Sequence, residues 1–306
     1  MLYRGEVLTF IIIGTVALVM AILLMVGETR ISWPEFRPVF LVNGAIIAFG
    51  LALRLRPNAA RISITMVALG LYPIFSSLLA LVFSLSFPLH RPLIDDQLFA
   101  MDALLGYDWV HAVEWLAQYP LLAKGLAAVY ISSLGQLLIL LLFLGLTLRV
   151  WQLHHLLLTG MLGAVMTYVF WIVWPSFGPS AYLSPDPAAV EAASLLVTPS
   201  YGAQLMHLAE FGQAVIYRHE ILGTVAFPSF HIVMAVLAVW FARGTLLFWP
   251  FLLLNLPMLP ATAIHGGHHL IDLPAGIALF ALACLIAERL LRTARSATTP
   301  PVMARA

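Results

Sequence analysis

Two short stretches of an otherwise apolar chain hold residues able to do chemistry. FPSFH at 227–231 carries Ser229 and His231, and TAIHGGHHLIDLPAG at 262–276 carries His265, His268, His269 and Asp272. Ionisable groups at membrane depth are costly, so such groups more often mark a site than decorate a helix. His268 and Asp272 are four apart, and a helix beginning near Gly267 would stack them on one face. A carboxylate bonded to one imidazole nitrogen fixes the tautomer and steadies the charged form, leaving the other nitrogen as a nucleophile. A second histidine, His231, can protonate a leaving oxygen. Pro228 suits the first turn of a helix, where the N–H groups around Ser229 and His231 would form an anion site. These parts suffice for phosphoryl transfer through a phosphohistidine. The same residues permit two other readings. His265, His268 or His269, Asp272 and His231 could supply an N/O ligand set for zinc. Alternatively, all are hydrogen-bonded structural groups inside a helix bundle.

The elements that must position these residues are membrane helices. Of 306 residues, 62% are hydrophobic and 9% charged, with mean hydropathy +0.99, far from the composition of a soluble domain. A net charge of +1 and the lack of a basic tract give no reason to expect a nucleic-acid partner. A bilayer core about 30 Å thick needs about 20 apolar residues per helix. That length predicts an all-α bundle of about eight spans, at 7–26, 38–53, 62–87, 125–148, 154–174, 225–242, 245–264 and 269–288. The first follows Arg4 but has no small-residue cleavage site, so it is read as retained. With the N-terminus inside, ten of the fifteen Lys and Arg fall on inner segments, which predicts both termini in the cytoplasm and both motifs facing outward.

Two outer segments exceed simple turns. Residues 89–122 have apolar residues at helical spacing with acidic residues between them, the pattern of an amphipathic helix in the interface. Residues 175–222 are Pro-, Ala- and Ser-rich and then helical, long enough to be a lid. His154 and His155 fall at an inner boundary, where a headgroup-level role is expected. Residues 292–306 read as a disordered basic tail. The lone cysteine, Cys284, reads as a buried small apolar residue.

Taken together, FPSFH and GGHHLIDLPAG, with FGPSAYL at 177–183 and DQLFAMDALLGYDW at 96–109, resemble the type 2 phosphatidic acid phosphatase superfamily. Within it, the likeness is to the branch that contains inositol phosphorylceramide synthases and many bacterial membrane phosphatases. The resemblance implies a six-helix core preceded by two added spans within 1–60, with the core over 61–291. It implies a lipid-phosphate phosphatase or phosphotransferase that needs no metal or other cofactor. Its substrate would be a lipid phosphate or pyrophosphate of the outer leaflet, and the acceptor water, an alcohol or a polyol. His268 would be the nucleophile, Asp272 its orienting partner and His231 the acid. Ser229 would hold phosphate, with Arg218, His265 and Tyr182 as further candidates. Members commonly carry Lys and Arg in the first motif and an arginine six positions before the nucleophile. This chain has neither Lys nor Arg in 150–217, and Thr262 stands at the third-motif position. Arg218, Lys124, Arg91, His265 and His269 are then the candidates to meet the phosphate charge. The alternative the departures raise is a non-catalytic lipid-binding or transport paralogue. Because the family has an aromatic at the position of His269, a phenylalanine there is expected to be tolerated.

Overall fold

The computed structural model describes residues 2–223 and 225–292; the expected tail lies, all but its first residue, outside these. The protein is built almost wholly of helices. α1 (Arg4–Val26), α2 (Trp33–Ala52) and α3 (Ala60–Leu85) come first. α1 has 23 residues, or about 35 Å at a 1.5 Å rise, enough for the hydrocarbon core. Two short helices follow, α4 (Asp95–Leu104) and α5 (Trp109–Ala117). Next come α6 (Pro120–Ile131), α7 (Ser133–Leu146) and α8 (Val150–Val173). Residues 175–222, the expected outer segment, contain α9 (Pro187–Ala192) and α10 (Pro199–Phe211), and α11 (Phe230–Ala242), α12 (Phe248–Asn255), α13 (Met258–His265) and α14 (Asp272–Arg292) follow. Among the described residues, five helices (α1, α3, α8, α14, and α2 with its 3-10 extension) are long and apolar enough to cross a membrane, and the bent pair α6–α7, taken as one span, makes a sixth.

The differences from the expected spans have local causes. The stretch 125–148 bends by 46° at Ser132. There the hydroxyls of Ser132 and Ser133 donate to the carbonyls of Val129 and Tyr130 at 2.6 and 2.9 Å, competing with the helical ladder. The stretch 245–264 divides into α12 and α13 at Pro257, which lacks the N–H a continuous helix needs. The expected interfacial helix is two helices, parted by a turn at Leu105–Asp108, where Asp108 caps α5 through the His111 N–H at 2.9 Å.

α14 packs against α8 and α11, α7 against α3 and α11, and α1 and α2 against α3. The main apolar core lies between α3, α7, α8, α11 and α14 and includes Leu140, Leu153, Met161, Val233 and Cys284. Residues 175–222 form a folded segment of their own, with α10 against the 179–181 turn. Arg30–Ile31 (β1) pairs in parallel with Val215–Ile216 (β2), so the α1–α2 connection ties down its far end. His154 and His155 face the interior of the bundle rather than its surface. Both are buried in α8, with His155 Nε2 3.1 Å from the Cys284 carbonyl and His154 tilted against Tyr3.

Candidate active site

The position of His268 follows from how α13 ends. Gly267 takes φ +59°, and the N–H groups of Gly267 and His268 donate to the carbonyls of Ile264 and Ala263 at 3.3 and 3.1 Å. This is a Schellman stop with glycine in the left-handed position and His268 just beyond it. α14 therefore starts only at Asp272, five residues later than the spacing predicted. Asp272 nevertheless meets its partner. Its Oδ2 lies 2.8 Å from His268 Nδ1 and also accepts the His269 N–H at 3.0 Å. The carboxylate is fully buried, so it locks the turn as well as the imidazole. His268 Nε2 faces the Ser229 hydroxyl at 3.5 Å.

Ser229 is the N-cap of α11, whose first residue is Phe230; Pro228 therefore precedes the cap rather than occupying the first turn. The Ser229 N–H donates to the Asp272 carbonyl at 3.1 Å, which ties the two motifs together and leaves the hydroxyl for other work. A side chain at Gly276 would come within 2.5 Å of the Ser229 carbonyl, so α14 and α11 meet here by backbone contact. His231 stacks on Tyr130 with centroids 4.0 Å apart, on the far side of the α6–α7 bend, and lies within electrostatic reach of His268.

His269 points away from this centre into a nest of carboxylates. Its Nδ1 is 2.7 Å from Asp102 Oδ2, and its Nε2 is 3.5 Å from Asp95 Oδ1, an ion-pair distance without hydrogen-bond geometry. Burial disfavours the charged imidazole, but Asp95, Asp272 and Asp102 outweigh it and raise its pKa above the ordinary histidine value. Asp102 also accepts the Leu270 N–H at 2.9 Å. Asp95 accepts the N–H of Gly178 at 2.7 Å and that of Phe177 at 3.1 Å, with the Tyr182 hydroxyl at 3.3 Å. His269 and the two aspartates of α4 thus clamp the 177–182 turn to the turn bearing His268. The Ser180 hydroxyl, buried and without a hydrogen-bond partner, sits about where a side chain on Gly267 would be, 3.0 Å from that position.

The sequence-selected residues divide accordingly. His268, Asp272, Ser229 and His231 converge. Tyr182 enters through Asp95. His265 is fully buried at the end of α13 beside the Ala123 backbone of α6, and its carbonyl accepts the Val197 N–H at 2.9 Å. Arg218 is exposed, its backbone N–H donating to Glu35 at 2.8 Å. Lys124 and Arg91 are also exposed, and His269, fully buried, is held by Asp102. Among the described residues no three His, Cys, Asp or Glu side chains are grouped to hold a metal ion. Sequence reasoning missed Asp95, Asp102, Tyr130 and Ser180. The seven-residue spacing of the two aspartates, which puts them on one helix face, was the available signal.

No curated protein and no solved structure matches the chain. Residues 96–286, more than half of it and including every residue of the cluster except Asp95, match the PAP2 superfamily, that of the type 2 phosphatidic acid phosphatases, and the protein belongs to that superfamily.

Proposed function

We propose that this protein is a membrane phosphatase or phosphotransferase that passes the phosphoryl group of a lipid phosphate or pyrophosphate through His268. The observation that carries the reading is the polarity of one imidazole: Nδ1 is held by buried Asp272 at 2.8 Å, and Nε2 is directed at the N-cap of α11. With its Nδ1–H donated to the Asp272 carboxylate in a hydrogen bond, the Nε2 lone pair of neutral His268 attacks phosphorus. The bond from phosphorus to the leaving oxygen breaks, and His231 gives that oxygen its proton. His231 then takes a proton from water or an alcohol, whose oxygen attacks the phosphohistidine and restores His268. The Ser229 and Ser180 hydroxyls and the first-turn N–H groups of α11, which have no intrahelical acceptor, hold the phosphate oxygens in place of the missing Lys and Arg. His265 and Arg218 are left out of this cradle because one faces α6 and the other Glu35.

The eight-pass arrangement completes the proposal, with α11 and the α12–α13 pair as shorter spans and the site on the outer side. Transfer to an alcohol or polyol, as in the inositol phosphorylceramide synthase-like branch, is the second reading. It is favoured by the folded outer segment, whose α10 packs on the 179–181 turn and is anchored through β2; such a cover would exclude water.

The test is rapid acid-free quenching during turnover of a labelled lipid phosphate in the presence of chelator. Acid-labile label on a peptide containing His268, absent from His268→Ala protein, is expected. Activity that needs zinc, with no such adduct, would overturn the mechanism.

A further inference from the structure

We propose that a cavity inside the bundle receives the hydrocarbon chain of the leaving group, so that one chain of the lipid substrate is bound by the protein rather than by the bilayer. The inference rests on the catalytic reading above. The cavity has a volume of about 290 Å³ and lies between α3, α7, α8 and α11. It is half open, is also lined by Leu222, Gly223 and Val225 from the loop before α11, and is mostly apolar, so it suits an apolar guest better than water. His231 lines its wall, whereas His268, Asp272 and Ser229 do not. That asymmetry identifies the occupant. In-line displacement puts the leaving oxygen opposite His268 Nε2, on the side of the acid His231. Whatever is bonded to that oxygen continues past His231 and enters the cavity.

The dimensions narrow the class further. On α8 the lining runs from Thr167 to Leu156, about 16 Å at the helical rise. At about 30 Å³ for a water-sized group, the volume holds roughly ten methylenes. That length and volume match a single chain of about this size. Gly160 lies midway on α8 with only Leu237 of α11 near the position of an added side chain, at 3.7 Å, so a leucine there would shorten the space without a backbone clash.

The experiment measures kcat/KM for straight-chain alkyl phosphates from butyl to hexadecyl with full-length protein in lipid nanodiscs. Wild type should gain about 100-fold or more up to roughly ten carbons and then flatten. Gly160→Leu, and independently Ala164→Leu, should move the plateau to shorter chains by about the length of the added side chain. A decyl phosphonate with a diazirine at its far end should label Leu157 or Leu237. A rate independent of chain length, or label confined to lipid-facing residues such as Val169, would overturn the inference. Should no phosphate ester turn over at all, the catalytic reading fails instead, and the labelling pattern alone decides whether the cavity takes the chain.

Discussion

At the residue scale, three histidines in similar sequence surroundings occupy three different environments. His268 has one nitrogen committed to Asp272 and the other turned toward Ser229. His231 leans on an aromatic ring, and His269 is caged by acids. The first two make a kinetic prediction. His231→Ala should slow turnover of alkyl phosphates by roughly 10²–10⁴-fold, the usual worth of a general acid. It should slow a nitrophenyl ester far less, because that leaving group needs little protonation. Equal losses on both substrates would remove His231 from the acid role. His269 makes a thermodynamic prediction instead. Its folded pKa is raised by Asp95, Asp272 and Asp102 against the cost of burial. Its contribution to stability is therefore complete below the unfolded value of about 6.5 and is lost as pH climbs through the folded value. Melting temperature in detergent should fall over that rise, and His269→Asn should flatten the profile. The contacts of His269 with Asp95 and Asp102 argue against tolerance of His269→Phe. That substitution would strand two buried carboxylates at a cost of about 3 kcal/mol or more, visible as loss of folded protein.

At the element scale, the site depends on two turns pressed together. Gly178 holds φ +82° and ψ 175°, a region nearly closed to other residues. A side chain there would lie 2.0 Å from the Gly267 carbonyl, which is backbone and cannot swing away. Gly178→Ala should cost about 1–3 kcal/mol in strain alone and should also lift the 177–182 turn off the His268 turn. Scanning fluorimetry and activity should both report it, and an unchanged melting temperature would show that the turns are not clamped as described. What could be read at this scale was set by local chemistry. The two motifs were legible because FPS and HGGHH combine breakers with polar groups inside apolar runs. The HxxxD spacing did bring its ends together, though through a Schellman stop and a caged turn rather than one continuous helix. The seven-residue spacing of Asp95 and Asp102 marks one helix face but not its partner, because acidic residues among apolar ones look the same whether that face meets water or a buried histidine. The bend at Ser132 and the break at Pro257 were hidden by hydropathy, which counts apolar residues and not the backbone bonds they forgo.

At the scale of the whole molecule, the bundle has two chemically unlike ends. At one, Arg4 donates to the Leu290 carbonyl at 2.9 Å, Arg54 pairs with Glu6, and Arg149 reaches the Gly244 carbonyl at 3.1 Å. At the other lie Asp95, Asp102, the 177–182 turn and the two histidine motifs, where buried carboxylates pair with histidines rather than arginines. An arginine-rich end belongs at the cytoplasmic leaflet, where anionic lipids and the insertion bias both favour it. In the proposed orientation the site opens to the outer leaflet, and its substrate would be a lipid whose phosphate is displayed there. Ser184, exposed in the outer segment, reports this directly. On a Cys284→Ala background, a Ser184→Cys protein in intact cells should react with a membrane-impermeant maleimide before any lysis, while a cysteine placed at exposed Asn58, between α2 and α3, should react only after the inner face is opened. The reverse order of labelling would turn the bundle over and move the substrate to the cytoplasmic leaflet. It would leave the contacts around His268 intact, and with them the chemistry proposed for it.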